Sequence, residues 1–200
     1  MKYYVGLDLG QAQDYTALSV IEKASGPDTA PPRTEYRVRH LQRFKLGTPY
    51  PDIVTRVYEM IVKLPDSVLT VDHTGVGRPV VDLFRASGLN PIAVTITGGD
   101  TVNHEAGLWR VPKRDLVGVL TVAFQNGTLK IAEALPDAKT LIDELLNFKV
   151  KINVKTAHDS YEAWREGVHD DLVLSVAMAV WAAQFYRPRV IWQIEDDYRV

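Results

Sequence analysis

The chain has 200 residues, with 23 lysines and arginines against 25 aspartates and glutamates. The formal net charge of -2 gives no overall attraction to nucleic acid, although it leaves room for a local basic surface. Because cysteine is absent, a disulfide framework, a cysteine-ligated zinc and a thiol nucleophile are excluded. No apolar run reaches the length of a membrane span and the N-terminus has no secretory-signal pattern, so no membrane partner is predicted.

The first half of the chain alternates between strand-like and helix-like segments. Apolar or alternating runs that end in turn residues predict strands at residues 3–9, 16–22, 35–46 and 67–72. The first two of these strands are expected to form a hairpin. Apolar residues at helical spacing predict helices at 51–64 and 80–86.

The second half begins with a predicted strand at 90–95 and a long glycine-containing loop at 96–111. Helices are predicted at 112–126, where Pro112 stands near the start and Asn126-Gly127 at the end, and at 138–148. Alternation over 149–155 predicts one arm of a β-hairpin that returns through 161–165. An almost wholly apolar helix follows the pair Asp170-Asp171.

This order of elements predicts an α/β domain with a mixed β-sheet flanked by helices and an added β-hairpin before the last long helix. The domain is expected to span residues 1–186, and residues 187–200 are expected to form a polar C-terminal tail.

Carboxylates stand at the ends of several predicted elements. Asp8 lies near the end of the first strand, Asp72 ends the fourth, and Asp170 and Asp171 head the last helix. Ligands of open sheets bind beyond the strand ends, so these side chains can converge if the two strands are neighbours. Converging carboxylates repel one another unless a positive group lies among them, and a hard divalent cation with oxygen ligands meets that need. Two such ions would support phosphodiester hydrolysis.

Each carboxylate taken singly also has a simpler structural explanation. Asp8 precedes a glycine and can cap a turn, and Asp72 can accept hydrogen bonds from the backbone of the turn that follows it. One of Asp170 and Asp171 can be the N-cap of the last helix. Both cannot face a metal equally, because successive helical residues point about 100° apart. Asp14 is predicted to be a turn residue.

Basic residues that could contact DNA phosphates fall in three segments. One group lies on the third strand, where a purely solvated face is equally plausible: Arg37, Arg39, Arg43 and Lys45. The predicted DNA-binding set lies before a helix and on the hairpin arm: Lys113, Arg114, Lys149, Lys151 and Lys155.

Three segments carry a resemblance to a known family. "GLDLGQAQDYTALSV", "LTVDHTGVGRPVVDLF" and "GVHDDLVLSVAMAVW" resemble, in order, the three acidic motifs of the nuclease domain of large terminase subunits, the DNA-packaging proteins of tailed bacteriophages. The segment "WRVPKRDLVGVL" resembles the stretch that such domains carry between the second and third motifs. The resemblance covers residues 3–185.

The resemblance implies a ribonuclease H-like fold and a Mg²⁺- or Mn²⁺-dependent endonuclease that cuts concatemeric viral double-stranded DNA. It implies two ions, with Asp8, Asp72 and the Asp170/Asp171 pair as catalytic residues and ligands. It also implies a terminase ATPase domain, a small terminase subunit and a portal protein as partners, in the cytoplasm of the host cell. No G-x-x-x-x-G-K-[ST] motif occurs in the sequence, so we expect an isolated nuclease domain or a fragment.

Three other functions remain open at the level of sequence. "GLDLG" followed by "TALSV" also resembles the first phosphate loop of actin-like ATPases and sugar kinases, which would bind ATP and leave Asp170 and Asp171 without a role. A resolvase-like nuclease would use the same carboxylates on branched DNA. A noncatalytic DNA-binding module would carry a degenerate site, but the acidic positions are intact.

Overall fold

The computed structural model describes residues 2–11, 14–26, 33–152 and 170–186. Its strands are β1 (Lys2–Asp8), β2 (Ala17–Ser25), β3 (Thr34–Arg43), β4 (Ser67–Asp72), β5 (Ile92–Thr97), β6 (Asn103–Glu105), β7 (Leu108–Pro112) and β8 (Leu129–Ile131). Its helices are α1 (Tyr50–Ile61), α2 (Gly77–Ala86), α3 (Lys113–Gln125), α4 (Ala138–Ile152) and α5 (Asp171–Phe185).

All eight described strands form one mixed sheet in the order β6-β7-β5-β4-β1-β2-β3-β8. Strand β1 lies near the middle, antiparallel to β2 and parallel to β4. The parallel neighbours β1 and β4 therefore end at the same edge of the sheet. The mixed sheet and its flanking helices confirm the predicted fold class.

Alternating side chains divide the core into two layers, because successive residues of a strand point to opposite faces. Val5 and Leu7 of β1 face helices α1 and α2, where they join Val57 and Phe84. Tyr4 faces the layer that contains α3, α4 and α5. Asp8 has the same parity as Tyr4, and so its carboxylate is directed to the α5 face of the sheet.

Helix α5 can approach the sheet closely because a row of small residues crosses three strands beneath it. Gly6 of β1 is paired with Ser19 of β2 and with Thr70 of β4, and all three are buried. A β-carbon built on Gly6 would lie 1.9 Å from the Ser175 carbonyl oxygen of α5. Only a residue without a side chain allows this contact.

Helix α5 is apolar all round because it is enclosed by its neighbours: from Asp171 to Ala183 every residue is buried. This accords with the absence of a hydrophilic stripe in its sequence. Among the described residues, no helix combines the length and apolar character that a membrane crossing requires.

Three features differ from the predictions. The predicted loop at 96–111 contains two short strands that extend the sheet: β7 pairs with β5, and β6 pairs with β7 at the edge. Strand β8 was not predicted and pairs with β3. The segment 149–152, predicted as part of a strand, forms the last turn of α4 instead. The remainder of the predicted hairpin and residues 187–200 lie outside the described residues.

Candidate metal centre

The register of the sheet brings Asp8 and Asp72 side by side. Leu7 is paired with Val71 in the parallel ladder, and the next residue of each strand is an aspartate. Both aspartates are buried, with 7% and 8% of their surface exposed. The Thr74 backbone N–H donates a hydrogen bond to Asp72 Oδ1 at 2.8 Å. Asp72 thus both accepts a hydrogen bond from the turn that follows it and lies beside Asp8.

Helix α5 brings the third carboxylate into the same place. Asp171 precedes Ser175, the residue that contacts Gly6, by one helical turn and lies on the same side of the helix. Four helical residues rise ~6 Å and two strand residues ~6.6 Å, so Asp171 reaches the level of Asp8. Asp171 is 6% exposed. The contact at Gly6 therefore determines how near the helix carboxylate lies to the strand carboxylates.

Asp170 occupies the N-cap position of α5, but its side chain makes no capping hydrogen bond. Its carboxylate instead accepts a hydrogen bond from Lys113 Nζ at 2.9 Å, a contact between the first residue of α3 and the start of α5. Its backbone carbonyl accepts from the Leu174 N–H. The side chain of Asp170 is thus engaged by a cation rather than by the helix end.

The acidic side chains influence one another electrostatically. Burial raises the pKa of Asp8 well above its usual value, and the charges of Asp72, Asp171 and Asp170 raise it further. Burial also raises the pKa of Asp72, against the hydrogen bonds from Thr74 and Asp8 and the charge of Lys113. Both shifts favour the protonated form of these carboxyl groups in the absence of a cation.

Two further side chains, Arg43 and Glu144, complete the cluster, and the sequence analysis predicted neither as part of the acidic site. Arg43, at the end of β3, contacts Asp171 Oδ2 at 3.4 Å and forms an ion pair with Glu144 of α4. Glu144 Oε2 accepts a hydrogen bond from the Val173 N–H at 3.0 Å. Burial raises the pKa of Glu144 to about 7, although Val173 and Arg43 favour its charged form. Arg43 was predicted only as a possible phosphate contact, and Glu144 gives no local signal.

The donor set suits a hard divalent cation, because it consists of carboxylate oxygens in a largely buried place. As their side chains stand, the described residues contain no group of three or more acidic, histidine or cysteine side chains that could hold a metal ion, so a cation would have to draw the carboxylates together. In this structure Lys113 and Arg43 counter part of the negative charge. A metal ion would therefore take over charge compensation that protein groups provide here.

The predicted DNA-binding residues have different outcomes. Lys113 lies beside the carboxylate cluster, and Arg114 is exposed and forms an ion pair with Asp100. Lys149 and Lys151 fall in the last turn of α4, where the structure describes no side chains. Lys155 lies outside the described residues. No contact with DNA is tested, so the set remains a prediction.

The basic third strand is less available for phosphates than its composition indicates. Arg37 is paired with Glu35 and Arg39 with Glu22, in addition to the contacts of Arg43. Lys45 is exposed, beyond the end of β3. Most of the apparent basic face is thus neutralised by neighbouring glutamates. Asp14 is an exposed turn residue, as predicted.

Known proteins resemble this chain in sequence and in fold. No family model matches the chain. The large terminase subunit of Thermus phage G20c is 25% identical over 177 residues, which are 88% of this chain. The chain spans only 31% of the length of that relative. The sequence resemblance to large terminase subunits is therefore confirmed for one part of such a protein.

Solved structures of nuclease domains share the fold. The large terminase nuclease of thermophilic phage G20c with bound magnesium superposes with a TM-score of 0.60 at 24% identity, covering 90% of this chain and 80% of that one. The human cytomegalovirus terminase nuclease domain, soaked in manganese and inhibitor-bound, gives 0.56 at 13% identity, covering 91% and 82%. The chain has the fold of a terminase nuclease domain, the ribonuclease H-like fold that the resemblance implies.

Proposed function

We propose that this chain is the nuclease part of a large terminase subunit, a Mg²⁺- or Mn²⁺-dependent endonuclease that cuts concatemeric viral double-stranded DNA during packaging. The observation that carries the proposal is the convergence of Asp8, Asp72, Asp170 and Asp171 at one edge of the sheet. They come from three distant parts of the sequence and share one largely buried place that lacks enough positive charge for all of them. A structural explanation of each aspartate alone does not account for this convergence.

The residues fit divalent cations. Asp8 and Asp72 offer neighbouring oxygens on a rigid ladder, and the Asp170/Asp171 pair offers further oxygens from the opposite element. Asp171 is the better candidate of the pair, because Asp170 is held by Lys113. Two bound ions would activate the attacking water and stabilise the leaving oxygen of the phosphodiester.

The chain's own groups have distinct tasks in this proposal. The raised pKa values of Asp8 and Asp72 favour their protonated forms, which do not bind a cation, so low pH should oppose metal binding. Lys113 counters part of the acidic charge and, with Arg114, places two cations at the start of α3 beside the cluster. These two residues, with Lys149, Lys151 and Lys155, are the proposed phosphate contacts. With a net charge of -2, binding should be weak, salt-sensitive and largely independent of DNA sequence.

The proposed partners follow from the same family likeness. The terminase ATPase domain would translocate DNA, since this sequence has no Walker A motif. The small terminase subunit and the portal protein would bring the nuclease to the viral genome. The proposed place of action is the cytoplasm of the host cell.

Nicking of supercoiled plasmid tests the proposal. We expect the purified chain to nick DNA with Mn²⁺ or Mg²⁺ and not with EDTA, and Asp72→Asn to lose this activity. Asp14→Asn, which alters an exposed turn carboxylate, is the matched control and should nick at the wild-type rate. Nicking by Asp72→Asn, or nicking by the wild type in EDTA, would refute the proposed metal centre. A strong preference for four-way junctions over linear duplex would instead indicate a resolvase-like enzyme.

A further inference from the structure

We propose that Arg43, anchored by Glu144, is a positioning residue that holds Asp171 toward Asp8 and thereby sets the affinity of the acidic site for divalent cations. The inference rests on the proposed function, because it concerns ligands of the proposed metal centre. It assigns a role to two residues from elements other than those that carry the four aspartates.

The register of the sheet places Arg43 in the same transverse row as the strand carboxylates. Arg43 of β3 is paired with Ala17 of β2, and Ala17 is paired with Asp8 of β1. Neighbours in one row point to the same face of a sheet, so Arg43 is directed to the α5 face, as Asp8 is. The residue between them is an alanine, which leaves space above the sheet for the long side chain.

The guanidinium is held on several sides. Its Nη2 bridges Glu144 Oε1 and Asp171 Oδ2, the latter at 3.4 Å, and its carbon atom lies 5.0 Å from the centre of the Tyr15 ring. The side chains are largely enclosed: 18% of Arg43 is exposed, with 6% of Glu144 and 8% of Asp171. Because the same nitrogen contacts both carboxylates, the guanidinium couples the position of Asp171 to that of Glu144.

Glu144 ties this contact to the backbone of α5. One oxygen binds Arg43, and the other accepts the hydrogen bond from the Val173 N–H in the first turn of the helix. The first turn that carries Asp171 is thus fixed through its backbone by α4 and through its side chain by β3. The two contacts share Glu144, so they act as one unit.

Positioning and simple charge neutralisation predict opposite effects on metal binding. A cation that only neutralised Asp171 would compete with a metal ion, and its removal would tighten binding. A residue that holds Asp171 in a productive direction would, on removal, weaken binding, because one ligand would have to be ordered at the moment of binding. The sign of the change therefore separates the two roles.

Binding of Mn²⁺ without DNA, followed by electron paramagnetic resonance of the free ion, is the direct test. We expect Arg43→Met to raise the Kd about tenfold or more. An unchanged or lower Kd for Arg43→Met would overturn the inference. A wild-type chain that bound no Mn²⁺ would refute the proposed metal centre itself, so the two failures are distinguishable.

Arg43→Lys keeps the charge but shortens the side chain and replaces the guanidinium with a compact ammonium, which would not reach both carboxylates from the position of Nη2. We expect its Kd to remain raised, and a wild-type Kd in Arg43→Lys would also overturn the inference. This variant decides the question if Arg43→Met does not fold. The matched control is Arg39→Met, which removes an arginine from the same strand that pairs with Glu22 and should leave the Kd unchanged.

Discussion

The carboxylates of the site form two pairs whose charges are compensated in different ways. Asp8 and Asp72 lie side by side at the end of a parallel ladder and are buried, and burial raises the pKa of both. Asp170 and Asp171 are consecutive at the head of α5, and each contacts its own cation, Lys113 or Arg43. Burial thus shifts the strand pair toward its protonated form, whereas two side chains from other elements neutralise the helix pair.

This difference separates what the backbone fixes from what side chains fix. The positions of Asp8 and Asp72 follow from the hydrogen-bonded register of β1 and β4, which a side-chain substitution does not move. The position of Asp171 depends on the approach of α5 over Gly6 and on Arg43. Substitution of a strand aspartate should therefore abolish function by removing a ligand. The helix pair should also be sensitive to substitutions elsewhere that change the position of Asp171.

The largest effect is expected from Asp8→Asn. The substitution keeps the shape and removes one ligand, so Mn²⁺-dependent nicking should fall about 1,000-fold, which corresponds to roughly 4 kcal/mol of activation free energy. Thermal stability in EDTA should stay equal or rise, because one of several repelling groups is removed. Nicking assays and melting curves of the same preparation measure both. A variant that nicked at a rate near that of the wild type would remove Asp8 from the site.

The two members of the helix pair should differ from each other. Asp171 is more buried than Asp170, and Asp170 is held by Lys113. We therefore expect Asp171→Asn to lower nicking about 100-fold and Asp170→Asn about tenfold, at saturating Mn²⁺. Single-turnover rates on plasmid DNA would rank them. The reverse order would make Asp170 the principal ligand and would require Lys113 to release it.

The strand pair was within reach of sequence reasoning, because its information is local. Period-two alternation gives Asp8 the parity of Tyr4, and both aspartates end their predicted strands. Whether β1 and β4 are neighbours was left open by the sequence, and the parallel ladder of the structure shows that they are. The predicted convergence of Asp8 and Asp72 is therefore a consequence of topology.

The partners of the helix pair could not be predicted, because they depend on contacts distant in sequence. Arg43 and Glu144 are separated by 101 positions. In sequence, a basic strand that faces acidic residues cannot be distinguished from one that faces solvent or DNA. Arg37, Arg39 and Arg43 were therefore interpreted as a solvated face or as phosphate contacts. Their actual partners are glutamates of β2, β3 and α4.

The predictions for short segments were wrong for a further reason. Strands β6 and β8 have three residues each, too few for alternation to be recognised, and they exist because a neighbouring strand offers hydrogen-bonding groups. Residues 149–152 alternate in polarity, but four residues also fit the last turn of a helix already under way. In both cases the tertiary surroundings, rather than the local pattern, determine the element.

A smaller effect, on the helix pair alone, is expected from Gly6→Ala. The new β-carbon would collide with the Ser175 backbone, so α5 must move away from β1. We expect a loss of about 2 kcal/mol in the free energy of unfolding, together with weaker Mn²⁺ binding as Asp171 withdraws from Asp8. Denaturant unfolding and Mn²⁺ titration measure the two.

The matched control for that substitution is Gly118→Ala in α3. A β-carbon there meets nothing within 4 Å, and alanine favours the helix by ~0.5–1 kcal/mol. The control should therefore be slightly more stable than the wild type and should bind Mn²⁺ unchanged. Equal effects of the two substitutions would mean that the approach of α5 over Gly6 does not set the site.

The smallest effect concerns pH. The sign of the slope of stability against pH shows whether protonation compensates the strand pair. The pKa values of Asp8, Asp72 and Glu144 are raised on folding, that of Glu144 to about 7. Between their ordinary values and the raised ones, the folded chain binds more protons than the unfolded chain. Stability in EDTA should therefore fall as pH rises from 5 to 7.5, by about 1 kcal/mol or ~3 °C in Tm.

Saturating Mg²⁺ should reverse this slope. The ions bind ionised carboxylates and only the folded chain assembles them, so their stabilising effect grows as protons leave. Glu144→Gln should flatten part of the slope in EDTA and leave the remainder, which belongs to Asp8 and Asp72. Differential scanning calorimetry of the wild type and of Glu144→Gln at several pH values, each with and without Mg²⁺, gives the four slopes of stability against pH. If stability in EDTA rose over this range, the strand pair would be ionised already, and its compensation would have to come from Lys113 rather than from protonation.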